Sequence, residues 1–185
     1  MTQQPRFPRL EPAQMTALQR EVAAEIAAGP RGEVRGPFIA LMHHPELARQ
    51  LQGVGEQLRW KAKLPKALLE LAVLITARRW SCQHEWLIHS KLALEAGLGA
   101  KIIDSIARNR KPGSLSKDES AVYEFCREAH ENGRVSDKSF AAVKHNFGRD
   151  GALELLALCG YYTLMAMVLN TAGLPLPGNA APPLK

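Results

Sequence analysis

Apolar residues recur at helical spacing along most of the chain, and no stretch alternates apolar and polar positions between turn signals as a half-buried strand would. In positions 13–28, AQMTALQREVAAEIAA, the residues Met15, Leu18, Val22 and Ile26 mark one helical face, and Gly29-Pro30 ends it. Pro37 opens a short helical stretch from Phe38 to His43, and Pro45 with Glu46 opens another that runs to Gln52 or beyond. The pair His43-His44 reads either as the wall of a site's mouth or as imidazoles meeting a helix C-terminus. Leu64-Pro65 starts a helix in which Leu68, Leu71, Val73, Leu74 and Ile75 cover nearly every face, which puts it at the centre of a core. A break at Trp80-Ser81 leads to a second helix, Ser81 to Ala96, with Ser81 as N-cap and Gly97 as stop. A short helix follows from Lys101 to Asn109. Ser116 and Glu119 form a capping box for a helix from Lys117 to about Glu131, and Ser136 caps one that ends at Phe147-Gly148. Gly151 to Ala172 is a long helix, apolar on nearly all faces, closed by Gly173, Pro175 and Pro177. The pattern predicts one all-α domain over residues 1–185, with an extended proline-rich arm at 1–11 and a proline-rich tail at 174–185.

Composition narrows the function. A chain of 185 residues with 46% hydrophobic and 23% charged residues suits one soluble domain with a sizeable core. The net charge of +6 is scattered, which fits a basic soluble surface or attraction of an anionic small molecule, and lacks the clustered stripe that nucleic acid requires. Three cysteines without regular spacing argue against a disulfide scaffold and for a reducing, cytoplasmic compartment. The opening MTQQPRFPRLEP has no apolar core of a secretory signal. The apolar run Leu155 to Val168 is interrupted by Gly160 and two tyrosines, and reads as a buried helix or an oligomer interface more readily than a membrane span.

Chemistry concentrates between Glu70 and Gly97, where an apolar stretch carries Glu70, Arg78, Arg79, Cys82, His84, Glu85 and His89. Titratable groups in such a setting must be paired, exposed or used. At about 100° per residue, Cys82, Glu85 and His89 fall within roughly 60° of one another on a helix, and the small residues Ala93 and Ala96 continue that stripe. HEWLIH is one residue too long for the zinc-protease pattern, since His84 and His89 lie about 140° apart, so no metal site is expected. Cys82 near a helix N-terminus, with His89 two turns on and two arginines upstream, could be a reactive thiolate or simply a small buried hydrophobe. Glu70, Glu85 and His89 could form an acid–base set or a satisfied network that pins two helices.

These residues carry a resemblance. Glu70, eleven residues, then Cys82-Gln83-His84-Glu85-Trp86-Leu87-Ile88-His89 resembles the motif of the carboxymuconolactone decarboxylase family, which includes alkylhydroperoxidase D. The peroxidase members carry Cys-x-x-Cys-x-x-x-His; here the first Cys and the His match, and Glu85 stands in place of the second Cys. GPFIALMHHPELA, LPKALLELAVLITARRW and GYYTLMAMVLNTAGLPLP also look like the decarboxylase-like branch. The resemblance implies an alkylhydroperoxidase D-like helical bundle that assembles as a homotrimer or homohexamer and needs no cofactor. It also implies lyase chemistry on a small anionic lactone or related acid of aromatic catabolism. His89 would be the general acid/base, Glu85 its partner, Glu70 the group that orients His89, and Cys82 a pocket lining. Arg78 or Arg79 would bind the substrate carboxylate. Without a resolving thiol at position 85, a Cys-x-x-Cys peroxidase cycle would need Cys126 or Cys159 within reach of Cys82. A thiol peroxidase using Cys82 and a non-catalytic oligomeric binding protein are the alternatives.

Overall fold

A computed structural model describes residues 4–185, so the first three residues of the expected arm lie outside the described residues. Eight α-helices account for the described regular structure, with a 3-10 turn near each end and no strand. They are α1 (Ala17–Ala28), α2 (Pro37–Leu41), α3 (Pro45–Trp60), α4 (Lys66–Arg79), α5 (Gln83–Glu95), α6 (Ala100–Ala107), α7 (Lys117–Asn132) and α8 (Asp137–Ala172). The chain is all-α, as its periodicity predicts.

Most boundaries follow from local chemistry. Thr16 caps α1 and Ser116 caps α7, each in a capping box closed by Gln19 and Glu119. Ser136 caps α8. The two predicted helices on either side of Gly148 are the two arms of α8, joined across a kink where Gly148, at φ +72°, leaves the helical backbone. His44 caps the start of α3 by accepting from the Leu47 amide, so it belongs to the following helix and not to the end of the preceding one. His43 turns outward to the Pro8 carbonyl.

The break before α5 differs from the expectation. Ser81 is in the left-handed region at φ +46° and closes α4, because the Cys82 amide donates to the Ala77 carbonyl (2.8 Å) and the Ser81 amide to the Arg78 carbonyl (3.0 Å). Cys82, one residue later, is the N-cap of α5. A turn this tight lets α5 fold straight back along α4.

Helix α4 is the spine. Every residue from Leu68 to Ala77 is buried, and the helix packs against α5, α6, α7 and α8. Helices α1, α2 and α3 close the side toward α8. The arm lies over the end of α8, where Arg6 donates from its backbone and guanidinium to the Ala172 and Thr171 carbonyls. The tail returns to the first turn of α5, where Leu184 exchanges two hydrogen bonds with the Gln83 side chain.

Helix α8 is long and apolar enough to cross a membrane, and half of its most apolar window is buried within the bundle. Its remaining face is not covered by the chain itself: Leu153, Leu156, Leu164 and Met167 are 66%, 42%, 36% and 51% exposed. They form one stripe at helical spacing, and nothing stands over Gly160 in its middle.

Candidate active site

Three side chains from two helices meet in the core. Glu70 points from the second turn of α4, and Glu85 and His89 are one turn apart on α5. His89 Nδ1 lies 2.6 Å from Glu70 Oε2, and His89 Nε2 lies 3.1 Å from Glu85 Oε2. The other Glu70 oxygen meets Lys66 Nζ at 3.1 Å, one turn back on α4. Glu70, Glu85 and His89 are 2%, 6% and 3% exposed, whereas the Lys66 side chain stays half in solvent. The result is a chain of alternating charge, Lys66–Glu70–His89–Glu85, that runs from the surface into the core.

Burial by itself pushes the His89 imidazole down, but hydrogen bonds to Glu70 and Glu85 and their charges outweigh it and hold the ring above its ordinary value. Burial raises Glu70, and the same bond to His89, helped by Lys66, brings it below the usual carboxylate range. The two carboxylates therefore favour the protonated form of His89. The Tyr162 ring packs edge-on against His89 at 5.0 Å between centroids, and Tyr161 packs edge-on against Tyr162 at 5.6 Å. Both tyrosines come from the buried face of α8.

Of the residues expected on one stripe, Glu85 and His89 meet and Cys82 does not join them. Cys82 is fully buried in a separate apolar cluster with Ala166 and Leu169, backed by Leu174. Its place at the start of α5 was expected to lower the thiol pKa, yet burial pushes it up to about 12. Neither of the other cysteines serves it. Cys126 and Cys159 lie together in the main core, beside Thr76 and His130. His130 Nε2 is 2.8 Å from Thr76 Oγ1. The thiol of Cys159 is drawn down by the Cys126 thiol first, then by His130 and Thr76, against the effect of its burial.

Arg78 and Arg79 are also placed elsewhere. They sit at the C-terminal end of α4, about 12 Å along the axis from Glu70 at 1.5 Å per residue. Arg78 donates to Ser81 Oγ at 3.0 Å, Arg79 is exposed, and both line a surface recess with Tyr123 and His130. The arginines on the Tyr161 side are Arg31 and Arg59. Sequence reading passed over both. Arg31 lies in the loop after α1 and Arg59 beside an exposed tryptophan, and only the packing of α3 against α8 turns them inward. A recess of about 720 Å³ between α7 and the start of α8 is lined by surface lysines, serines and glutamates and lies apart from the centre.

An all-α bundle with a carboxylate–imidazole–carboxylate centre on two antiparallel helices defines the class. Residues 45–128, which include Glu70, Cys82, Glu85 and His89, match the carboxymuconolactone decarboxylase family. The fold is similar to the alkylhydroperoxidase AhpD core of an uncharacterized peroxidase-related protein from Ralstonia eutropha JMP134, with a TM-score of 0.74 at 21% identity over 94% of this chain and 92% of that one. No curated protein matches the sequence significantly. Arg31 and Tyr161 lie outside the matched segment.

Proposed function

We propose that the protein is a carboxymuconolactone decarboxylase-like lyase that acts on a small anionic lactone or related carboxylic acid of aromatic catabolism. The observation that supports this reading is His89 held between two buried carboxylates, with Glu85 where a peroxidase motif has its second cysteine. In the proposed reaction the bond between the ring carbon and the substrate carboxylate breaks. Its electron pair enters the conjugated lactone and CO₂ leaves. A proton passes from His89 through Glu85 to a ring carbon, and solvent restores it. Glu70 fixes the ring through Nδ1 and keeps it charged. Cys82 takes no part: a thiol at about 12 is not a thiolate at neutral pH, and its apolar cluster holds no proton acceptor.

The test is CO₂ release from a panel of small lactone carboxylates and carboxylic acids, run beside peroxide consumption. Release by the wild type that Glu85→Gln abolishes supports the reading. Peroxide consumption without CO₂ release from any panel member contradicts it.

The same proposal includes a cytoplasmic homo-oligomer, a trimer or hexamer, with the exposed stripe of α8 at the subunit interface. Light scattering at micromolar concentration should show the oligomer, and Leu164→Arg or Met167→Arg should dissociate it into smaller folded species. A monomer, or an oligomer that survives both changes, removes α8 from the interface.

A further inference from the structure

Building on the acid–base reading above, we propose that Arg31, with Arg59, Gln52 and Tyr161, forms the subsite that holds a carboxylate of the substrate.

Arg31 is 6% exposed. The arginine ion pairs of the described residues are made by Arg35, Arg49, Arg108 and Arg127, and Arg31 and Arg59 make none. A guanidinium out of water without a carboxylate is costly, and proteins keep such a group where an anion is meant to meet it. What holds Arg31 is neutral. Its Nε donates to Gln52 Oε1 at 2.7 Å, and its guanidinium carbon lies 4.1 Å above the centre of the Phe38 ring. Arg59 lies 4.5 Å from the centre of the Trp60 ring, and Arg31 lies 6.0 Å from the same ring.

Around this cation are buried polar atoms without a partner: Gln52 Nε2, Arg59 Nε and the Tyr161 hydroxyl. Each can donate a hydrogen bond, and the two nitrogens can do nothing else. Gln52 and Tyr161 are 8% and 7% exposed. Tyr161 and Arg31 meet at Gly55, where a Cβ would collide with the Tyr161 hydroxyl and lie 3.5 Å from Arg31 Nη2. Glycine there lets the phenol reach the guanidinium. The phenol oxygen faces the guanidinium and leaves its O–H to donate, so a set of donors surrounds the cation. Such a set is complementary to a carboxylate, whose two oxygens fit a guanidinium side by side.

The set also points at the acid–base centre. Tyr161 packs on Tyr162 and Tyr162 on His89. The loop that carries Arg31 continues to Gly36, whose missing Cβ would lie 3.7 Å from His84 Nε2 in the first turn of α5. Carboxylate recognition and proton delivery thus come from opposite ends of one buried aromatic path.

The experiment is calorimetric titration of the full chain with succinate, benzoate, inorganic phosphate and the neutral dimethyl ester of succinate. The carboxylates should bind and the ester should not. Arg31→Met should weaken carboxylate binding about tenfold or more. Tyr161→Phe should weaken it less and keep the fold, so a failure of Arg31→Met to fold still leaves a test. Arg78→Ala and Arg79→Ala should change nothing. Equal binding of the ester, tighter binding of phosphate than of either carboxylate, no carboxylate binding, or unchanged affinity in both Arg31→Met and Tyr161→Phe overturns the subsite. Glu85→Gln separates the two proposals. Arg31-dependent binding in a chain without CO₂ release keeps the subsite and rejects the lyase, and CO₂ release indifferent to Arg31 does the reverse.

Discussion

Two histidines bind the central helix α4 from different sides, and their partners set different chemistry. Glu70 and Thr76 are six residues apart on α4, about 120° around it. Glu70 receives His89 from α5, and Thr76 receives His130 from α7. In the first place a second carboxylate, Glu85, closes on the other ring nitrogen, and the imidazole is drawn toward its charged form. In the second the neighbours are thiols, and the group drawn toward its charged form is Cys159. Cys82 is the control for both. It is as buried as Cys159 and stands at a helix N-terminus, yet without such neighbours it is pushed the other way. Burial decides unless a specific partner opposes it.

The largest effect should come from removing the shared cation. His89→Ala leaves Glu70 and Glu85 facing each other in the core, and should cost about 3–5 kcal/mol of stability in a denaturant titration as well as all turnover. Glu85→Gln keeps the shape and should lower turnover by at least about a hundredfold with a much smaller loss of stability. Equal stability losses from both would mean that the centre is structural.

A pH titration of stability sharpens the same contrast. His89 is raised in the folded chain, so its contribution is complete below its ordinary value of 6.5 and fades as pH rises through the folded value. Glu70 is lowered, so its contribution is complete above 4.5 and fades as pH falls through the folded value. Stability should therefore be highest between those limits. His89→Ala should flatten the alkaline side of the curve, and an unchanged alkaline limb would contradict the charged imidazole.

A smaller effect separates the cysteines. Followed by thiolate ultraviolet absorbance, one thiol should ionise below the ordinary cysteine range. Cys159→Ala should remove that step, His130→Ala should shift it upward, and Cys82→Ser should leave it in place. Loss of the step in Cys82→Ser would reverse the assignment.

How much of this was legible depended on how local each cause was. The capping boxes at Ser116 and the glycine stop after Ala172 lie within a few residues of what they control, and the sequence displays them directly. Glu85 and His89 are one turn apart, so their meeting was readable from helical spacing, and Glu70 followed from the motif. The Ser81 step was misread because a serine before a helix suggests an N-cap, whereas the close of α4 required a left-handed residue there. Cys82 was misplaced by the same one-residue difference and by burial against α8, which no local pattern reveals. Arg78 and Arg79 looked apt because they are near the motif in sequence, yet a helix carries them away from Glu70. Arg31 and Arg59 arrive through tertiary packing, and their only mark in the sequence is an arginine beside glycine or tryptophan. For the long α8 the all-round apolar pattern left a choice between a wholly buried helix and one with an uncovered face, and which residues stay exposed emerged only when the other helices were in place.

The central claim is that chemistry resides in Glu85 and His89 and not in a thiol. The most direct measurement is CO₂ release by a cysteine-free chain, Cys82→Ser with Cys126→Ala and Cys159→Ala, on whichever panel member the wild type decarboxylates. The account predicts that the folded variant keeps most of the wild-type rate. A variant that melts cooperatively, binds carboxylates as the wild type does and yet releases no CO₂ would contradict it.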